Sequence, residues 1–459
     1  MSKNPNLIFI MTDHQRADSI GMIQDGKEVT PNLNRMAKEA THFTSAYNAC
    51  PLCVPARTAL ATGKAPISNG VVLNDFHGKK AGDYKPIHQY LHEAEYKVGH
   101  VGVHHIRIKP TLQERVNFDL WISEEEYNEF ANNNGVNTKR CHLDGIVVKE
   151  KQENEVVEQY YSNTRASVFK HDKKYFKDIF FRDKAIEFIS KQNDEPFALF
   201  VYFWAPHPPL IVPEPYASKF NADNLNVPSN VGITTNGEPS SRRRGVAAQM
   251  AEGISMDEWK KTWAAHLGLV NLADDCVGKI FNALKESGKE GDTIIVFTSD
   301  HGEHLGQHSM YQKMEMYDQA IRVPLLIKAP GANQQVIDTP VSHLDVVPTL
   351  LDFVGINIQD KFQGDSLKEC IIDGKKLKEK DVFCQYSGNS RSGDIRRAVI
   401  SGKYKYIYDG EDVPELFDLE EDPLEMTNLA FKPLYDEILS EMHKKCKKIA
   451  KEQGDWMRY

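Results

Sequence analysis

The amino-acid sequence predicts an α/β fold: a central mixed, mainly parallel sheet flanked by helices, with a smaller C-terminal α+β subdomain. Three observations carry this. Uninterrupted apolar runs recur along most of the chain, as in strands buried on both faces. Amphipathic stretches at helical spacing lie between them. From about residue 380 the pattern shifts to short strands and one last helix.

The first run, Leu7-Ile8-Phe9-Ile10-Met11, ends in Thr12-Asp13-His14. Thr30-Pro31-Asn32 then opens a helix with Leu33, Met36 and Ala40 on one face, Pro31 being suited to a first turn. Further strands are expected at Ala198–Trp204, Thr293–Thr298 and Val323–Ile327. The clearest helix runs from about Asp257 to Lys285 and stops at Ser287-Gly288. Residues 110–165, polar and acidic, read as surface insertions, and residues 221–255 as a long loop whose Arg242-Arg243-Arg244 run is solvated. Near the end, Ala398–Ile400 and Tyr404–Tyr408 read as strands and Leu434–Lys451 as a helix. A chain of 459 residues exceeds what one core usually serves, so two units are expected, residues 1–378 and 379–459.

Composition narrows the function. At 41% hydrophobic and 26% charged the chain is an ordinary globular one. A net charge of -9 gives no basic footprint for nucleic acid, and any anion site must be a local cluster of cations or a metal. Seven cysteines, at 50, 53, 141, 276, 370, 384 and 446, are too few and odd in number for a disulfide framework. Cys50 and Cys53 are spaced as in redox or zinc pairs, but no second pair completes a zinc site. Five apolar residues near the start are too short for a signal core, and nothing approaches a membrane span, so the chain as given reads as cytoplasmic.

Ligands in α/β sheets bind beyond the carboxyl ends of strands. Two such ends carry Asp-His pairs, Asp13-His14 and Asp300-His301. Each Asp alone reads as a cap or turn residue. Two pairs on parallel strands point instead to one metal bound by carboxylate and imidazole.

Cys53-Val54-Pro55-Ala56-Arg57, with Thr62-Gly63 following, resembles the signature of the type I, formylglycine-dependent sulfatases of the alkaline phosphatase superfamily. Pro5-Asn6, Pro206-His207-Pro208-Pro209, Thr298–Glu303 with Leu305–His308, Lys313 with Tyr317 and Arg322-Val323-Pro324, and Glu415–Leu419 with Asp422-Pro423 and Asn428-Leu429 extend the resemblance over nearly the whole chain.

The resemblance implies that a formylglycine-generating or sulfatase-maturating enzyme converts Cys53 to Cα-formylglycine. One hydroxyl of its hydrate attacks the sulfur of a small anionic ester, giving a sulfated enzyme that then collapses. It also implies one divalent ion, calcium first and magnesium or manganese next, held by Asp13, Asp300, His301 and residue 53. His14, where many members carry a second Asp, joins them as a softer ligand. Asp300 helps activate the attacking hydroxyl, His207 is the general acid, His105 the base of the collapse, and Arg57 holds the diol. Lys313 and His207 contact the substrate, with His104 and Asn74 as further contacts. Val103 stands where many sulfatases carry Lys, a departure shared with the similar phosphonate monoester hydrolases. Phosphonate or phosphodiester hydrolysis therefore stays open as an alternative, and a non-catalytic binder of sulfated glycans as a third reading.

Overall fold

The structure, a computed structural model, describes residues 4–75, 78, 80–82, 84–136, 145–357 and 360–459. Among these, nine strands form the main sheet. Their order is Gln335–Ile337, Thr41–Tyr47, Arg322–Lys328, Thr293–Ser299, Asn6–Thr12, Phe197–Tyr202, Lys97–Gly102 and Leu120–Ile122, with Val341–Ser342 also paired to Thr41–Tyr47. Only Arg322–Lys328 runs against its neighbours, so the sheet is mixed and mainly parallel.

Burial on both faces explains why the first run is continuously apolar. Leu7, Phe9 and Met11 pack on one side, where the helices Cys53–Thr62, Ile87–Glu93 and Val346–Phe353 contribute Val54, Leu91 and Leu350. Ile8 and Ile10 face the other side, against the helices Pro31–Ala37, Lys177–Ser190 and Met256–Glu286. Each such fully buried aliphatic or aromatic side chain contributes roughly 1.5–3 kcal/mol. The 31-residue helix Met256–Glu286 starts at the Ser255 cap and carries Asp274, whose carboxylate accepts the N–H groups of Asn32 and Leu33. One helix thus caps the start of another.

Register places the chemistry. Thr12 pairs with Ser299, so Asp13 and Asp300 leave adjacent strands at the same level. Phe197–Tyr202 and Lys97–Gly102 continue the parallel set, and His207 and His105 follow them beyond the same edge. At the last of these ends a side chain is impossible. Gly102 has φ +112°, and a Cβ there would lie 1.9 Å from the Tyr202 carbonyl oxygen.

The C-terminal part is a four-stranded antiparallel sheet, Val382–Tyr386, Arg396–Ser401, Tyr404–Asp409 and Glu415–Asp418. Phe383, Val399 and Tyr406 pack against the last helix, Asp436–Gln453, through Met442, Cys446 and Ala450. Alternate residues Cys384, Ala398 and Ile407 face the main body. Lys405, fully buried, reaches across to Asp318 at 2.6 Å and also pairs with Glu425. Among the described residues no helix is long and apolar enough to cross a membrane.

Two expectations need correcting. The described part of 110–165 is not merely an insertion: Leu120–Ile122 is an edge strand of the main sheet, followed by the helix Glu124–Asn133 and the hairpin Ile146–Gln152 with Glu155–Tyr161. Cys141 lies outside the described residues. The arginine run is not a solvated loop either. It forms the short helix Ser240–Arg244, and Arg242 is buried. Its guanidinium meets Asp409 at 2.7 Å, Glu415 at 3.0 Å and Glu315 at 3.5 Å, partners too distant in sequence for local composition to reveal.

Candidate active site

Cys53 opens the helix Cys53–Thr62 and sits at the centre of the strand-end cluster. Its Sγ lies 2.9 Å from Lys313 Nζ, 3.3 Å from His301 Nε2 and 3.6 Å from Asp13 Oδ1. Burial, then the charge of Asp13, pushes the thiol above its ordinary range. The thiol itself is thus a poor nucleophile.

The N–H groups at a helix start need acceptors. Asn74 supplies one: its Oδ1 accepts from Val54 N at 3.0 Å, while its own N–H donates to the Asn389 carbonyl at 2.8 Å. Asn74, expected to meet substrate, ties the start of the Cys53–Thr62 helix to the C-terminal subdomain through these two bonds.

Arg57, one turn further on, spans both carboxylates. Nε donates to Asp300 Oδ2 at 2.8 Å and Nη2 to Asp13 Oδ2 at 2.7 Å, while Nη1 donates to the Val103 carbonyl. Position 103 enters the site through its backbone. The buried cations here are Arg57 and Lys313. Burial works against the Lys313 charge, but Cys53, Asp13 and Asp300 outweigh it and raise its pKa.

Burial and the neighbouring Asp300 raise the Asp13 pKa. Burial also disfavours the Asp300 charge, but His301, Arg57 and Lys313 outweigh it and lower the Asp300 pKa. An added divalent cation would relieve the repulsion that lifts Asp13. The donors suit one: His301 Nε2 is 3.6 Å from Asp13 Oδ1 and 3.7 Å from Asp300 Oδ1, and His14 Nε2 is 3.7 Å from Asp13 Oδ1. Such spacings fit oxygen and nitrogen donors about 2.0–2.2 Å from a common centre. Two overlapping groups emerge, Asp13, Cys53, Asp300 and His301, and Asp13, His14, Cys53 and His207.

His207 lies 4.4 Å from the His14 ring and 4.1 Å from Trp204, with Nδ1 against the Pro208 carbonyl. Burial lowers the His105 pKa, with Arg57 adding to the shift. Its Nε2 is 3.9 Å from Glu124. His14 and His105 both hold positive φ, +66° and +51°, the left-handed backbone that clusters at functional sites. His104 is not brought into the cluster. It packs on Trp121 with ring centroids 5.2 Å apart, and its Nδ1 accepts from Ile106 N. One residue had no assigned role in the sequence reading: Glu303, buried, with Oε2 2.7 Å from His14 Nδ1. Its place in the Asp300–Glu303 motif was the available signal.

Among solved structures, the phosphonate monoester hydrolase of Agrobacterium radiobacter matches with a TM-score of 0.80 at 20% identity, covering 98% of this chain and 96% of that one. The fold is that of the alkaline-phosphatase-like hydrolases. Within that class the chain belongs to the sulfatase family, whose model, "Sulfatase", matches residues 5–356. A second model, "N-sulphoglucosamine sulphohydrolase, C-terminal", matches residues 306–452. An ulvan-active sulfatase of Formosa agariphila is 28% identical over 98% of this chain and 82% of its own length. An arylsulfatase of Clostridium perfringens is 28% identical over 96% of this chain and 93% of its own. The chain is a sulfuric ester hydrolase.

Proposed function

We propose that this chain hydrolyses the sulfate ester of a small sulfated saccharide or metabolite, with a formylglycine made from Cys53 as nucleophile and one divalent cation, calcium being the family's expectation. The carrying observation is the position of Cys53 Sγ between the Lys313 ammonium at 2.9 Å and the His301 imidazole at 3.3 Å, beside both aspartates. Asp13, Asp300, His301 and His14 would hold the cation. When bound, it supplies positive charge to the sulfate oxygens and acidity to the attacking hydroxyl.

The chain's own groups do the rest. Arg57 locks both carboxylates and the Val103 carbonyl in place. Lys313 presents a buried ammonium to the reacting group, where low dielectric strengthens its effect. His207 keeps its Nδ1 hydrogen on the Pro208 carbonyl and, entering as imidazolium with the anionic ester offsetting the burial that lowers its pKa, delivers the Nε2 proton to the leaving oxygen. His105 takes a proton as sulfate departs. Cys53 is only 4% exposed, so the maturating enzyme acts before this helix is packed.

Peptide mass analysis of protein made with a maturating enzyme tests the reading. An aldehyde at residue 53, with turnover of an aryl sulfate lost in Cys53→Ala at unchanged fold, is expected. An unmodified thiol in fully active protein overturns it, and an unmodified thiol with glycan binding alone favours the non-catalytic reading. Val103 motivates a second reading, phosphonate or phosphodiester hydrolysis. Turnover of aryl phosphonate exceeding that of aryl sulfate would establish it.

A further inference from the structure

Beside the Cys53 helix lies a cavity of about 470 Å³ whose walls take no part in the chemistry at residue 53. Three segments enclose it. Ile67, Val72 and Leu73 come from the first, Ser387 and Ser392 from the second, and Trp456, which follows the last helix, from the third.

Hydrogen bonds tie two of these walls to the nucleophile. Leu73 and Asp75, both on the cavity wall, flank Asn74, and Asn74 Oδ1 accepts from Val54 N at 3.0 Å, one residue beyond Cys53. Ser387 and Ser392 lie on either side of Asn389, whose carbonyl accepts from Asn74 N at 2.8 Å.

The walls are also pre-formed. Gly393 N donates to the Ser387 carbonyl at 3.0 Å and closes that loop. Within it Gly388 has φ +105°, and a Cβ there would lie 2.1 Å from the Arg391 carbonyl oxygen. Trp456 is held by its surroundings: Arg397 Nε donates to the neighbouring Asp455 at 2.7 Å, and its guanidinium lies 5.6 Å from the indole centroid. The indole nonetheless stays 52% exposed.

Sites for small molecules occupy roughly 300–1,000 Å³ and are mostly apolar, with a few polar groups to fix orientation. Here aliphatic side chains and an indole supply the surface. Ser387 keeps a buried hydroxyl with no hydrogen-bond partner among the described residues. Among the described residues of the wall the one charged group is Asp75. A flat apolar ring gains from burial here and from stacking on the indole. A second sulfate or a carboxylate would instead meet the Asp75 charge.

We propose that this cavity is the subsite for the alcohol side of the ester, and that the alcohol carries an uncharged apolar ring seated against Trp456. This deepens the proposed function and rests on it.

Naphthol and naphthyl sulfate, with ethyl sulfate as the ringless comparison, test this on the matured full chain. Naphthol is expected to bind by titration calorimetry and to inhibit naphthyl sulfate hydrolysis competitively. Trp456→Ala, and separately Val72→Trp, which fills the cavity, should weaken naphthol binding. Each should also lower the ratio of kcat/KM for naphthyl over ethyl sulfate by about tenfold, the scale of one lost ring stack. Taking the ratio removes the intrinsic reactivity of the two esters, and circular dichroism checks folding.

No naphthol binding, binding that does not compete, or a ratio unchanged in both variants overturns the inference and leaves the proposed function standing. Matured protein that hydrolyses neither ester sinks the proposed function, and the inference with it, whether or not naphthol binds.

Discussion

The Lys313 ammonium stands 2.9 Å from Cys53 Sγ, both side chains buried, with the thiol raised by burial and the ammonium kept charged by the aspartates. On the proposed mechanism this buried cation acts where charge develops. Lys313→Met in matured protein should lower kcat by about 10²–10³-fold, the range for removing one such donor. Steady-state kinetics on an aryl sulfate, with circular dichroism as the folding control, checks this. A change confined to KM would instead assign Lys313 to ground-state binding.

Asn74 separates anchoring from substrate contact. Its Oδ1 accepts the Val54 N–H at 3.0 Å, so Asn74→Ala should cost about 1 kcal/mol of stability, as for a lost helix cap, and Asn74→Asp should restore it. Denaturant melts measure the effect. A Cys53 helix that tolerates Ala at 74, with KM raised, would return this residue to the substrate.

Arg242 and Arg244 sit two residues apart with opposite fates. Removing Arg242 takes the paired cation from buried Glu415 and leaves Asp409 and Glu315 to Arg396 alone, so Arg242→Met should destabilise by about 3–5 kcal/mol. Arg244, exposed, should tolerate the same change within about 0.5 kcal/mol. Equal melting temperatures for the two variants would refute the contrast.

His88 is fully buried against Phe200, ring centroids 3.9 Å apart, and its ring nitrogens meet no hydrogen-bond partner among the described residues. Burial, then His104, lowers its pKa to about 3. The unfolded chain takes up a proton near pH 6.5 and the folded chain does not, so this stability is complete above pH 6.5 and lost as pH falls toward 3. His88→Phe should raise the melting temperature at pH 7.5, and its advantage should widen from pH 6.5 to pH 5. A constant difference across that range would contradict this account.

The sequence made the centre of the sheet legible because Leu7–Met11 and Thr293–Thr298 are buried on both faces and leave an unbroken apolar record. The strand Thr41–Tyr47 escaped notice: its residues Thr-His-Phe-Thr-Ser-Ala-Tyr mix polar and apolar groups, and several are half-buried. Lys97–Gly102 was hidden by two glycines and a buried His100. In the site, the family resemblance named Asp13, His301 and Lys313, the side chains that meet Cys53 Sγ among the described residues. It did not reveal that Asn74 faces a backbone N–H, that His104 turns to Trp121 or that Glu303 faces His14, because such directions depend on strand register and long-range packing.

The ion pairs between the two sheets also carry a timetable. Arg242 and Asp318 are made well before their partners Lys405, Asp409 and Glu415, so a growing chain holds those charges without the groups that let them be buried. The buried charges of the main body therefore gain their full set of partners only once the chain has been made as far as Glu415.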